Sequence, residues 1–234
     1  WTLSRGLGDV YKRQAILSGD TMLVQSYKLL SDLELNIQAK VYKVFSDTAT
    51  QVCEGQQLDM DFEQIQELEI SEYIGMIKKK TSVLLAASFQ IGALIANASI
   101  EDTSLMYQFG LNIGIAFQLQ DDMLDLYGDQ SKFGKKTGGD IISNKKTYLF
   151  LKSLSLANSQ QEKKLIELFS KPTINEDKKI QEVKNIFDEV GVLEHIKIQI
   201  NYYHKQAQNN LEDLTITNKD DLNDFANLLL KREV

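Results

Sequence analysis

From Ala15 onward apolar side chains recur every three or four positions, as in Ile16, Met22, Leu23, Tyr27 and Leu30, and the rhythm continues through Leu35 to Gln57. This spacing predicts two amphipathic helices, over 15–33 and 35–57. Ser71 is placed to cap a third helix over 72–97, and Thr103 to start a fourth that ends near Tyr127. After Thr147 the helical period returns in five shorter stretches, over 148–158, 160–169, 176–191, 193–214 and 220–232. Residues 128–146, rich in glycine and lysine, read as a loop, with later breaks at 175–177 and 215–218. There is no internal repeat and no low-complexity linker, so the expected fold is all-α, a large single-domain helical bundle.

The third and fourth helices are apolar nearly all round: no charge falls between Thr81 and Ile100, or between Thr103 and Gln120. A membrane hairpin is therefore a reading to weigh. Each stretch carries six Ser, Thr, Asn or Gln residues, and the second runs straight into three aspartates, which hydrocarbon would penalise heavily. The centre of a large bundle fits better, and no transmembrane segment is expected.

Composition narrows the class. One proline in 234 residues leaves few forced breaks for the helical pattern. The net charge of −7 argues against a nucleic-acid partner, whose footprint is a basic face. A single cysteine, Cys53, excludes an internal disulfide and a cysteine metal cage, and points to a reducing, cytoplasmic setting. The first fourteen residues, WTLSRGLGDVYKRQ, stand apart: they hold the only Trp and three of the 26 basic residues, and show no apolar stripe. Their end, DVYKRQ, resembles the translation of a sequencing-library adapter, so residues 1–14 are expected to be a non-native scar.

The segment with most chemistry in it is FQLQDDMLD, Phe117 to Asp125. At roughly 100° per residue, Gln118, Asp121, Asp122 and Asp125 share an arc of about 100° on one helix face. Further up that face lie Gly114, Leu111, Gly110 and Tyr107, and two glycines on a buried helix suggest that space is kept there. Three carboxylates at the negative end of a helix repel one another and the helix dipole. Divalent cations would make the arrangement favourable, and an oxygen-only ligand set favours Mg²⁺ over Zn²⁺. A solvated acidic helix end would show the same spacing, but a buried apolar run rarely leads into free charge. The following loop carries Lys132, Lys135, Lys136, Lys145 and Lys146 around Asp140. Cations facing a metal-loaded acidic cluster would hold a polyanion, with diphosphate the natural candidate. His195 and His204 read as structural, and Cys53 as a small buried apolar residue.

These runs, FQLQDDMLDLYGD followed by FGKKTGGDI and NKKTY, resemble the second aspartate-rich region of trans-isoprenyl diphosphate synthases, the polyprenyl synthetase family. Gly55 to Asp59 (GQQLD) resembles that family's GQxxD element, Lys80-Thr81 its KT pair, residues 15–20 a helix start, and residues 222–232 its closing helix. The resemblance implies a bundle of the isoprenoid synthase type that joins an allylic diphosphate to isopentenyl diphosphate as a homodimer. It implies metal ligation by Asp121 and Asp125, with Asp122 beside them, and support of the metal site by Asp59 and Asp140. Lys80, Lys135 and Lys145 would neutralise diphosphate oxygens with Gln56 nearby, and Thr81 and Gln118 would lie beside the ionising bond. A class I terpene cyclase and a non-catalytic partner subunit are the rival readings; the lysines weigh against the first and the retained aspartates against the second.

The family's first aspartate-rich motif, an acidic cluster followed by two arginines, has no counterpart before Ala15. Residues 15–234 are thus expected to be the C-terminal portion of a polyprenyl synthetase domain. The 234-residue polypeptide should show no measurable prenyl transfer when assayed with allylic diphosphate, isopentenyl diphosphate and Mg²⁺, whereas the intact gene product should turn over. Turnover by the shorter chain would refute the assignment of the first motif as essential.

Overall fold

The computed structural model describes residues 2–65, 67–128, 137–170, 175–216 and 218–230. Among them every regular element is helical. The chain divides into two compact units, residues 1–46 and 47–234.

In the first unit α1 (Thr2–Leu30) leads through a short turn into α2 (Leu35–Asp61), whose second half belongs to the other unit. The Gln38 amide donates to the Leu30 carbonyl at 3.1 Å and closes the turn. Tyr27 packs its ring against Phe45, with centroids 5.0 Å apart, and against Tyr42. α1 is helical from Thr2, through the first fourteen residues that show no apolar stripe. No proline breaks this stretch, and from Tyr11 to Asp20 the helix is exposed all round, so it needs no stripe.

The second unit is built around α5 (Ile100–Tyr127), which packs most extensively on α10 (Val192–Glu212) and α4 (Val83–Ile95). Ser99 caps α5 by accepting the Asp102 N–H at 2.9 Å, so the helix starts earlier than Thr103. Asp102, itself buried, accepts the Thr215 N–H at 2.9 Å and its hydroxyl at 2.6 Å, which ties the start of α5 to the break after α10. Phe109 and Ile113 join Ala207, Leu211 and Ala226 of α10 and α11 (Asp220–Leu230) in one core. Farther along, Leu119 and Met123 enter a larger core with Val183 and Phe187 of α9 (Glu176–Glu189), Leu165 of α8 (Ser159–Ser170) and Ile196. Asn175 caps α9 through the Lys178 N–H at 3.0 Å, where the sequence places a break.

The helix expected over 72–97 differs in two ways. It begins at Ile70, where the Glu72 carboxylate accepts the Glu69 N–H at 2.8 Å, and it is interrupted. α3 (Ile70–Ile77) passes through a π-helical turn at Lys78–Ser82 before α4. Periodicity does not reveal a one-residue insertion inside a continuous apolar pattern. The turn is clasped by glycine from two sides. A Cβ on Gly55 of α2 would lie 2.3 Å from the Lys80 backbone nitrogen, and one on Gly114 would lie 2.6 Å from Ser82 Cα. The space expected beside Gly110 and Gly114 is therefore filled by the backbone of α4 and the turn before it, not kept open. Within the expected loop, α6 (Gly139–Ile142) forms a single turn after the left-handed Gly138, followed by α7 (Tyr148–Leu156). Among the described residues no helix is long and apolar enough to cross a membrane.

Two glycine substitutions separate close approach from helix propensity. Gly114→Ala is expected to destabilise the protein by about 1–3 kcal/mol by pushing α5 off the π turn. Gly92→Ala, exposed in α4 with nothing within 4 Å of the added methyl, should stabilise it; the expected gain is about 0.5–1 kcal/mol. Urea denaturation of both variants checks the pair.

Candidate active site

Four segments distant in sequence meet around one cavity of about 90 Å³ in the second unit. The end of α2 contributes Asp59, Phe62 and Glu63; α3 and the π turn contribute Tyr73, Met76, Ile77 and Lys80. α5 adds Gln118, Asp121 and Asp122, and the segment around α6 adds Asp140, Lys145, Lys146 and Thr147. Of the residues expected at the site, the structure brings together Asp59, Lys80, Gln118, Asp121, Asp122, Asp140 and Lys145. Thr81 does not line the cavity but donates its hydroxyl to Gln118 Oε1 at 3.1 Å. Asp125 faces a smaller adjoining void with Asp122, Asp140 and Lys145. Gln56 is exposed on α2 outside both, and Lys135 lies outside the described residues.

The cations are already paired. Lys80 Nζ meets Asp59 at 2.5 Å and Lys145 Nζ meets Asp140 at 2.9 Å. Burial works against the Lys145 ammonium, but Asp140, with help from Asp59 and Asp122, outweighs it and raises the pKa. Partly exposed pairs of this kind contribute about 0–1 kcal/mol each. Stability therefore gives little reason to gather so many charges here.

The three aspartates of α5 occupy different environments. Asp121 is exposed at the rim. Asp122 is buried, accepting the Tyr73 hydroxyl on Oδ2 and the Gln118 amide on Oδ1 at 3.3 Å. Burial pushes its pKa up to about 7, opposed by the Tyr73 and Gln118 bonds and reinforced by the charges of Asp140 and Asp121. Burial likewise raises the Tyr73 hydroxyl. Asp125 accepts the Asp140 N–H at 3.0 Å and so holds the start of α6; burial, then Asp140, raise its pKa.

Among the described residues no three acidic, His or Cys side chains are grouped so that they could hold a metal ion between them. The donors at the cavity are nonetheless carboxylates and an amide, with no His or Cys. Mg²⁺ keeps several waters and is held by one or two carboxylates plus substrate phosphates, so an exposed Asp121 beside a cavity lined by three lysines fits it.

Two site residues were not legible as such. Tyr73 shares the face of Lys80, one heptad away, and its hydroxyl on that face was the available signal. Lys146 resembles its neighbour but does other work. Its ammonium donates to the carbonyls of Phe62 at 2.9 Å, Glu63 at 3.3 Å and Ile65, and so fastens the α6 segment to the end of α2. Burial lowers its pKa. His195 and His204 on α10 do not line the cavity, and Cys53, expected to be buried, is exposed on α2.

The folded-state pKa of Asp122 lies above that of the unfolded chain, so the folded protein retains a proton that the unfolded chain has lost between about pH 4 and 7. Without divalent cations, this residue should lower stability as pH rises through that window, by about 1.4 kcal/mol per pH unit at most. Above it the contribution should level off. Asp122→Asn should flatten the difference, measured by urea denaturation at pH 5 and pH 7.5 in chelator.

The polyprenyl synthetase family model matches residues 7–190. A short chain isoprenyl diphosphate synthase of Methanocaldococcus jannaschii is 38% identical over 175 residues, covering 74% of this chain and 52% of the relative. A geranylgeranyl diphosphate synthase of Methanosarcina mazei is 36% identical over 203 residues, covering 86% of this chain and 60% of the relative. The chain thus spans little more than half the length of these relatives. A crystal structure of a geranylgeranyl pyrophosphate synthase superposes with a TM-score of 0.88 at 42% identity, covering 94% of this chain and 68% of that one. That of a geranylgeranyl pyrophosphate synthetase from Pyrococcus horikoshii gives 0.86 at 29% identity, covering 94% and 67%. With the match extending over most of its residues, the chain belongs to the polyprenyl synthetase family.

Proposed function

We propose that the protein is a trans-prenyltransferase that joins an allylic diphosphate to isopentenyl diphosphate and releases diphosphate. The observation that carries this reading is the convergence of Asp59, Asp121, Asp122 and Asp140 with Lys80 and Lys145 on one cavity lined also by Phe62, Met76 and Ile77. Such a cavity suits a substrate with an anionic head and an apolar body. The relatives named as isoprenyl and geranylgeranyl diphosphate synthases support the same substrate class.

In this reading Asp121 is the principal ligand for Mg²⁺, with Asp125, Asp59 and Asp140 in support, and Asp122 is held inside the protein. The metal, when bound, neutralises diphosphate oxygens and makes the group a better leaving group. Lys80 and Lys145 turn from Asp59 and Asp140 towards those oxygens, and Lys135 joins them. The allylic C–O bond breaks with its electron pair on the diphosphate oxygen. Thr81 and Gln118 lie beside the carbon that becomes positive, and the apolar lining keeps water from it. The double bond of isopentenyl diphosphate then forms the new C–C bond, and the proton lost from the adduct goes to the departing diphosphate. Gln56 is assigned a peripheral part in diphosphate binding. The working form is a cytoplasmic homodimer with no nucleic-acid partner. A terpene cyclase would ionise one diphosphate substrate, and the number of lysines favours the two-substrate reaction.

Lys145 and Lys146 give the test. Lys145→Met should weaken binding of an allylic diphosphate with Mg²⁺ by about 10–100-fold, the size of a charge-assisted hydrogen bond, with little change in Tm. Lys146→Met should instead lower Tm, because it frees the end of α2. Isothermal calorimetry and thermal melts measure both, and unchanged diphosphate affinity in Lys145→Met would refute the assignment.

A further inference from the structure

Three hydrogen bonds between side chains form a chain, two of them ending on Asp122. Thr81 donates its hydroxyl to Gln118 Oε1 at 3.1 Å, Gln118 donates its amide N–H to Asp122 Oδ1 at 3.3 Å, and Tyr73 donates its hydroxyl to Asp122 Oδ2. The residues come from three elements: Tyr73 from α3, Thr81 from the π turn, Gln118 and Asp122 from α5. The direction of the chain follows from chemistry. Gln118 turns its NH₂ group to Asp122 Oδ1 and its carbonyl to Thr81, since an amide nitrogen only donates and an amide oxygen only accepts. The single Thr81 proton is then committed to that carbonyl. What Thr81 Oγ1 and Gln118 Oε1 have left to offer is lone pairs.

An amide facing the other way would present N–H groups at the same place. The two orientations have opposite dipoles, and next to a carbon that acquires positive charge only one of them is favourable. The orientation depends on Asp122 keeping both oxygens occupied by donors. Asp122 is 5% exposed, so solvent does not reliably supply the second donor. Tyr73, 4% exposed with its ring in the core, supplies it at the other oxygen.

We propose that Tyr73 is a positioning residue which, through Asp122, fixes the direction of the Gln118 amide and thereby leaves Thr81 and Gln118 as paired acceptors beside the reacting carbon. The catalytic part of this inference rests on the prenyltransferase reading; the hydrogen-bond part does not. Neither Tyr73 nor the orientation of the amide follows from the lysines and the exposed carboxylate that hold diphosphate.

Two measurements test it separately. In the 234-residue chain labelled with ¹⁵N-glutamine, the Gln118 side-chain amide is assigned by its loss in Gln118→Glu. At a pH well above 7, Tyr73→Phe, which keeps the ring, is expected to shift that signal and speed its hydrogen exchange by about tenfold, the size of one net hydrogen bond. An unchanged signal overturns the proposal whatever the activity. In the intact gene product Tyr73→Phe is expected to lower kcat by about tenfold with KM for either diphosphate within about twofold, and to have no further effect once Thr81 is replaced by Val. Losses that multiply in the double variant would mean that Tyr73 does not act through Thr81, and would overturn the positioning role. If the intact wild-type protein transfers no prenyl group between any pair of isoprenyl diphosphates, the prenyltransferase reading fails instead, and the amide signal still decides the direction of the hydrogen bonds.

Discussion

Everything at the site depends on how closely three stretches of backbone approach one another around residues 78–82. Gly55 on α2 and Gly114 on α5 each leave no room for even a methyl group against the π turn. Helices normally pack with side chains interposed and axes about 8–10 Å apart. Here backbone meets backbone, and the turn is held from two sides where the helix widens from α to π. Lys80 and Thr81 are carried on that turn, so their positions are set by main-chain contact and not by their own flexible side chains. Gly110 extends the same contact one helical turn along α5, where a Cβ would lie 2.7 Å from Ala86 Cα.

On that frame the charges are arranged before any ligand arrives. Lys80 and Lys145 each have a carboxylate partner, Lys146 is held by carbonyls, and the acidic helix end is divided among an exposed, a buried and a half-buried aspartate. Repulsion among the three is reduced because they do not share one environment. Asp125 turns its charge to the N–H groups at the start of α6, which suits the positive end of a helical turn, and Asp122 turns inward to hydroxyl and amide donors. Asp121 remains the one whose charge faces solvent.

Much of this was legible in the sequence because helical spacing alone places Gln118, Asp121, Asp122 and Asp125 on one face, and because the GQQLD and Lys80-Thr81 runs resemble family elements. The helices after Thr147 were visible for the same reason, since their apolar stripes face a core. Three features were not. The π turn leaves the composition of an apolar helix unchanged. The glycines of α5 suggest small volume, but whether the volume is empty or filled by a neighbouring backbone is a tertiary fact. The different roles of Lys145 and Lys146 are hidden because adjacent identical residues carry no pattern, and only the fold decides that one pairs with Asp140 and the other with the carbonyls after α2. Tyr73 lies between these cases: the heptad spacing to Lys80 marks its face, while its partner Asp122 is far away in the chain.

The Lys146 clasp has a kinetic side. It joins carbonyls at residues 62, 63 and 65 to a side chain more than 80 residues later. Each helix can form from local contacts, but closing a loop of that length costs chain entropy before any contact repays it. The cavity can therefore exist only after the helices between its two ends have packed. It should be among the last parts of the second unit to assemble and among the first to open, so the cavity can be lost by local opening while α5 and α10 remain folded.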